Sequence, residues 1–195
     1  ILELNGTIYF QSFTTIYAYK NEQVKLFRAP ANMLFIFRTG NEFMIQALGM
    51  GLYRFNGNQF EFVTGSEIFA AREVLAIIER PGNELWIGTS NDGIYSFRNG
   101  IFRLLRNEIS DFLKNQTCNA GLSLNDSMMV FGTILNGIAI CNGEGEIVKA
   151  YNYTNGLNNN TVLSLFRDKE NDLWIGLDEG VNYINPDSPY EQFSD

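Results

Sequence analysis

Three carboxylates alternate in the stretch RDKENDLW, at Asp168, Glu170 and Asp172. Such alternation superficially resembles a calcium-binding loop. The run lacks that loop's glycine and its distant bidentate glutamate, and it falls where a turn between two strands is expected. A solvated hairpin turn is the better reading, and Glu79 to Glu84 reads the same way. Two thiols, Cys118 and Cys141, have no metal-site spacing. They read as buried thiols on strands that are not direct neighbours, rather than as a disulfide. The sequence contains no histidine. That removes Ser-His-Asp and Cys-His nucleophile activation, imidazole acid–base routes and His-ligated zinc together. No catalytic constellation remains, and neither a metal nor a cofactor is expected.

The elements around these residues repeat. Leu-Trp-Ile-Gly occurs at 85–88 and again at 173–176, and these phrases hold the only two tryptophans of the chain. Related phrases are FMIQALGMG, with Gln46 where the first glycine should be, and VFGTILNG, where Phe131-Gly132-Thr133 matches Ile87-Gly88-Thr89. The turn glycines Gly51, Gly93, Gly137 and Gly180 lie 42, 44 and 43 residues apart. TIYFQSFTTIYAY at 7–19 is a more degenerate copy. Each unit strings together short runs rich in Ile, Val, Phe and Tyr, separated by Asn, Asp and Gly, which read as strands joined by hairpins.

Four strands in about forty residues is the length of a propeller blade. The predicted fold is therefore all-β: a β-propeller of four-stranded antiparallel blades, about five of them present, in units of about 1–30, 31–63, 64–106, 107–151 and 152–195. Trp86 and Trp174 should occupy equivalent positions two blades apart. Three large apolar residues side by side in Leu-Trp-Ile require cover on both strand faces. The four turn glycines should supply positive φ, and the glycine after Ile should avoid a neighbouring blade. Helical spacing is sustained nowhere, and no helix longer than two turns is expected. SEIFAAREVLAII reads as a loop or one helical turn running into a strand.

The 195 residues are 45% hydrophobic and 14% aromatic, enough for a sizeable core. No apolar run is long enough to span a bilayer as a helix. A net charge of −8 without a Lys/Arg cluster disfavours nucleic acid and anionic membranes. In a propeller, the loops between second and third strands and those between blades open on one face. A sugar there needs hydrogen-bonding side chains beside an apolar platform. Phe69, Arg72, Asn91, Asp92, Asn136, Asn158 and Asn160 offer that mixture.

LWIGT…GI, NGTIYFQSF, VFGTILNGIAI and NGLNNNTVLSLFRDKENDLWIGLDEGVNYI resemble the two-component regulator propeller repeats, over essentially the whole chain. Those repeats form the periplasmic sensor region of hybrid two-component histidine kinases in Bacteroidetes. The resemblance implies seven-bladed propellers in tandem, then an immunoglobulin-like domain, a membrane helix and a kinase. It also implies a periplasmic location and a carbohydrate-sensing role. GLDEGVNYINPDSPY resembles the segment that ends the first propeller. Five units do not make seven blades, so the remaining blades of a longer sensor are expected partners. Self-association through terminal blades, or sealing of an arc by another copy, is a further expectation. Without histidine this segment has no phosphoacceptor of its own. The alternatives are a propeller enzyme of the lyase or lactonase type, or a propeller that mediates protein contact or dimerisation.

Overall fold

The computed structural model describes residues 1–186; the stretch 187–195, which closes the fifth repeat unit, lies outside the described residues. Blade 1 comprises β1 (Leu2–Leu4), β2 (Thr7–Gln11), β3 (Thr15–Lys20) and β4 (Gln23–Arg28). Blade 2 comprises β5 (Ile36–Thr39), β6 (Glu42–Ala47), β7 (Gly51–Phe55) and β8 (Phe60–Phe62). Blade 3 comprises β9 (Val74–Arg80), β10 (Glu84–Thr89), β11 (Ile94–Arg98) and β12 (Ile101–Leu104). Blade 4 comprises β13 (Cys118–Ser123), β14 (Met129–Thr133), β15 (Ile138–Cys141) and β16 (Ile147–Tyr151). Blade 5 contributes β17 (Val162–Arg167), β18 (Leu173–Leu177) and β19 (Val181–Ile184). Every sheet keeps its strands in chain order. The fold is that of an all-β propeller with five blades. Its compact units are residues 1–74 with 100–102, and residues 75–99 with the chain from Arg103 onward.

Burial follows the repeat. The second strands of blades 3 and 4 are buried on both faces, as Leu-Trp-Ile-Gly and Val-Phe-Gly require. Trp86, Ile78, Met129 and Phe131 share one core; Val130, Ile140, Leu173 and Ile175 share the next. In the first unit Tyr9 meets Phe43 edge-on at 4.7 Å, and Phe27 meets Phe55 at 4.9 Å. Such pairs add about 1 kcal/mol each beyond the area they bury.

The turns repeat as well. Thr89 Oγ1 donates to the Gly93 carbonyl at 2.8 Å and accepts from the Asp92 N–H at 3.1 Å. Thr133 does the same with Gly137 at 2.9 Å and Asn136 at 3.0 Å. Both threonines are fully buried. The four turn glycines all have positive φ, from +68° at Gly137 to +137° at Gly51. A Cβ on Gly137 would lie 2.1 Å from the Tyr151 carbonyl oxygen, so this position excludes any side chain twice over.

Two expectations need correction. A nine-residue helix, α1 (Glu108–Gln116), joins blades 3 and 4 and exceeds two turns. Asn107 caps it by accepting from the Ser110 N–H at 3.2 Å, and Ile109 and Leu113 bury its inner face. Nine residues of pattern between two strand repeats gave too short a signal. A 3₁₀ turn at Ser66–Phe69 followed by β9 matches the expected helical turn running into a strand.

The second correction concerns the cover expected on both faces of Leu-Trp-Ile, which the copy at 173–175 lacks among the described residues. Both tryptophans stand two residues before the strand glycine, Gly88 and Gly176, so their positions are equivalent. Their surroundings are not. Trp86 is 3% exposed under the Arg80 guanidinium, 4.7 Å from its ring centre. Trp174 is 42% exposed on a blade face that also presents Phe166, Val181 and Tyr183 to solvent. Trp86 packs against blade 4, and nothing described packs on the matching face of blade 5.

Candidate functional site

The turn tips and interblade linkers of blades 3 to 5 carry a rim of amide side chains. Asn91 is exposed at the tip of the β10–β11 turn, where its Oδ1 accepts from Thr117 Oγ1 at 3.1 Å. Asp92 lies half-buried beside it. Asn136, in the β14–β15 turn, accepts on Oδ1 from Asn152 Nδ2 at 2.9 Å. Asn160 accepts from the Tyr153 N–H at 2.7 Å, and its carbonyl accepts from the Gly137 N–H at 2.9 Å. Asn158 donates its N–H to Asn182 Oδ1 at 2.9 Å, while its own amide side chain makes no hydrogen bond among the described residues. Asn136 is thereby tied to Asn152, and Asn160 ties the linker at Tyr153 to the turn at Gly137.

Sequence reasoning placed the apolar platform at Phe69, and the structure corrects this. Phe69 is fully buried, edge-on to Phe102 at 5.3 Å, so it has no face left for a ligand. Its linker carries structural duty instead: the Phe69 carbonyl accepts from Gln46 Nε2 at 2.7 Å. Arg72, in the same compact unit, is half-buried and donates to the Ile68 carbonyl. On the rim itself the apolar surface comes from Tyr153, 68% exposed, and Leu135, 57% exposed. Both were legible as large apolar residues inside turn or linker sequence, and neither was singled out.

The carboxylate run is a turn. Asp168 Oδ1 accepts from the N–H groups of Glu170 and Asp172 at 3.0 and 2.9 Å, and Oδ2 accepts from Trp174 Nε1 at 2.7 Å. The indole bond, more than the backbone bonds, holds the Asp168 carboxyl below its ordinary 3.8. Tyr183 donates its hydroxyl to Asp172, and that bond pushes its pKa up to about 12. The cysteines lie on β13 and β15 with β14 between them, both free and buried. Burial pushes each thiol up to about 12, partly opposed at Cys141 by the charge of Arg80. Neither is poised as a nucleophile at neutral pH.

Comparison with known proteins agrees with this architecture. Residues 156–179 match the family described as two component regulator propeller, a stretch that takes in the linker and first strands of blade 5. None of the curated proteins matches the chain. Among solved structures, the extracellular domain of BT4673 from B. thetaiotaomicron, described as a hybrid two component system, superposes with TM-score 0.68 at 19% identity. The match covers 93% of this chain and 26% of that one. The extracellular domain of the hybrid two component system BT3049 from the same organism gives TM-score 0.62 at 19% identity, over 92% of this chain and 25% of that one. This chain thus spans about a quarter of those structures. Virginiamycin B lyase from Staphylococcus aureus, in a catalytically inactive histidine-to-alanine form with quinupristin, gives TM-score 0.59 at 13% identity, over 90% and 64%. At these identities the likeness is one of fold.

Proposed function

We propose that the chain is a ligand-sensing segment of an extracytoplasmic two-component sensor, binding an oligosaccharide on the amide rim of blades 3 to 5 and catalysing nothing itself. The observations that carry this reading are the side-chain bond between Asn136 and Asn152, the hold of Asn160 on the Tyr153 N–H, and the 68% exposure of Tyr153. Sugars pair their hydroxyls with fixed amides and lay their C–H faces on aromatic rings. Amides already held by one bond lose little side-chain entropy when a ligand takes the other. A sensing role and a periplasmic location are supported by the repeat at 156–179 and by the fold shared with sensor extracellular domains.

The enzyme alternative draws on the lyase that shares the fold. That lyase is inactive once a histidine is replaced, and this chain has no histidine to play such a part. Calorimetry of the full sensor region against a panel of oligosaccharides tests the proposal. Tyr153→Ala and Asn136→Ala should each weaken the best ligand about tenfold. Undiminished affinity in both variants would place the ligand elsewhere, and no glycan binding at all would end the oligosaccharide reading.

A further inference from the structure

Blade 1, with Gly57 of blade 2 at its edge, lines an open cleft of about 510 Å³ at the β3–β4 turn. This is the end of blade 1 opposite its β2–β3 turn, and no residue lining it belongs to the rim of blades 3 to 5 proposed above. The strand register explains its chemistry. Tyr9, Ala18 and Lys25 form one cross-strand row, and Lys20 opposite Gln23 closes the sheet beyond it. Along β4 the face pointing at blade 2 therefore runs from buried Phe27 through Lys25 to Gln23. Ala18 keeps the floor low, and Gly57 of the β7–β8 turn leaves the rim open. A Cβ on Gly57 would come within 3.1 Å of Tyr9 Oη.

Three polar groups in this cleft lack an ionic or hydroxyl-level counterpart. Lys20 Nζ donates to the Asn5 carbonyl at 3.2 Å, and Lys25 Nζ donates to Asn58 Oδ1 at 3.3 Å while sitting 4.8 Å from the centre of the Phe27 ring. Neither ammonium pairs with a carboxylate among the described residues. No lining residue is acidic, in a chain whose net charge is −8. Tyr9 is 7% exposed, lines the cleft, and its hydroxyl makes no hydrogen bond among the described residues. That hydroxyl is open to the cleft, where it can exchange a hydrogen bond with a ligand oxygen in place of water. Two ammoniums with only neutral partners favour an anionic group between them.

We propose that this cleft is a second binding site, for a small hydroxylated organic anion of the sugar-acid class. Its carboxylate sits between Lys20 and Lys25, and one oxygen meets Tyr9 Oη. Gln23 and Asn21, also in the lining, supply amides for neighbouring hydroxyls.

Calorimetry on the full chain, with D-glucuronate as probe and D-glucose as the neutral control, tests this directly. Glucuronate should bind about tenfold or more tightly than glucose, and added salt should weaken it. Lys20→Gln and Lys25→Gln should each lower the affinity about tenfold, and Tyr9→Phe by a smaller factor, with the melting temperature of the two exposed-lysine variants unchanged. Tyr153→Ala should leave this binding intact, which separates the site from the rim. Competition by inorganic phosphate would show that the cleft reads the oxyanion, and supports the site. Equal binding of glucose and glucuronate, absence of glucuronate binding, or full binding by the doubly substituted Lys20→Gln, Lys25→Gln chain would each overturn the proposal.

Discussion

Val74 donates its backbone N–H to Oε1 of Gln46 at 2.8 Å. Gln46 stands on β6 at the place where β10, β14 and β18 carry Gly88, Gly132 and Gly176. Its Nε2 donates to the carbonyls of Phe69 and Arg72, so one side chain, 2% exposed, holds the linker 69–74 against its blade. Gln46→Ala strands a buried N–H and two carbonyls, and should cost about 2–4 kcal/mol in urea denaturation. Gln46→Glu should be worse at neutral pH, because a carboxylate would face two carbonyl oxygens it cannot bond. Equal stability of wild type and Gln46→Ala would mean that the linker does not depend on this side chain.

Gly132 is required by its neighbour. A Cβ there would lie 2.4 Å from Val162 Cγ1, on the first strand of the next blade. Gly132→Ala should lose about 1–3 kcal/mol through overpacking. Adding Val162→Ala removes the clashing methyl groups, so the double variant should lose less than the sum of the two single changes. A double-mutant cycle measures that coupling directly.

The repeat phrases made the fold readable, because strand period, turn glycine and blade length all point to one architecture. Gln46 was visible as an exception to the glycine rule, but its partners lie 23 to 28 residues onward and only the fold brings them near. Phe69 looked like an exposed linker aromatic because sequence does not show which side of a linker faces the core. Trp174 matched Trp86 in phrase and differed in exposure, since burial in a propeller is set by the adjoining blade. The cleft at Lys20 and Lys25 was invisible for a related reason: β4 mixes polar and apolar residues on both faces, and the register across β2 and β3 decides which of them converge.

The thiols set an alkaline limit. In the fold both titrate at about 12, against an ordinary 9.0. Unfolded thiols lose their protons first, so the unfolded chain binds fewer protons between those values and stability falls as pH rises through that window. Below about pH 9 this contribution is fully present. Urea midpoints at about pH 8 and about pH 10 should drop more for wild type than for Cys118→Ala, and a thiol reagent should modify the native protein only as fast as it unfolds.

Asp168 acts in the opposite direction on the acid side. Its carboxyl is held below 3.8, so the bond to Trp174 is intact above that pH and is lost as pH falls through the lowered value. Trp174 fluorescence should therefore change in a step below pH 3.8, and Asp168→Asn should abolish the step. Trp86, screened in the core, should contribute nothing to it. A step that persists in Asp168→Asn would assign the change to another carboxyl.

The buried threonines at 89 and 133 have a consequence for how such a protein can change its target. Each clamps both ends of its turn from beneath, using its own hydroxyl and a glycine carbonyl. The tips between them, Ser90 to Asp92 and Ile134 to Asn136, borrow only backbone groups from that clamp. Tip side chains can then be exchanged without disturbing the strands below, much as the jaws of a lathe chuck are swapped while the spindle stays fixed. New recognition could be reached by a few substitutions at the tips, with the core under no obligation to adapt.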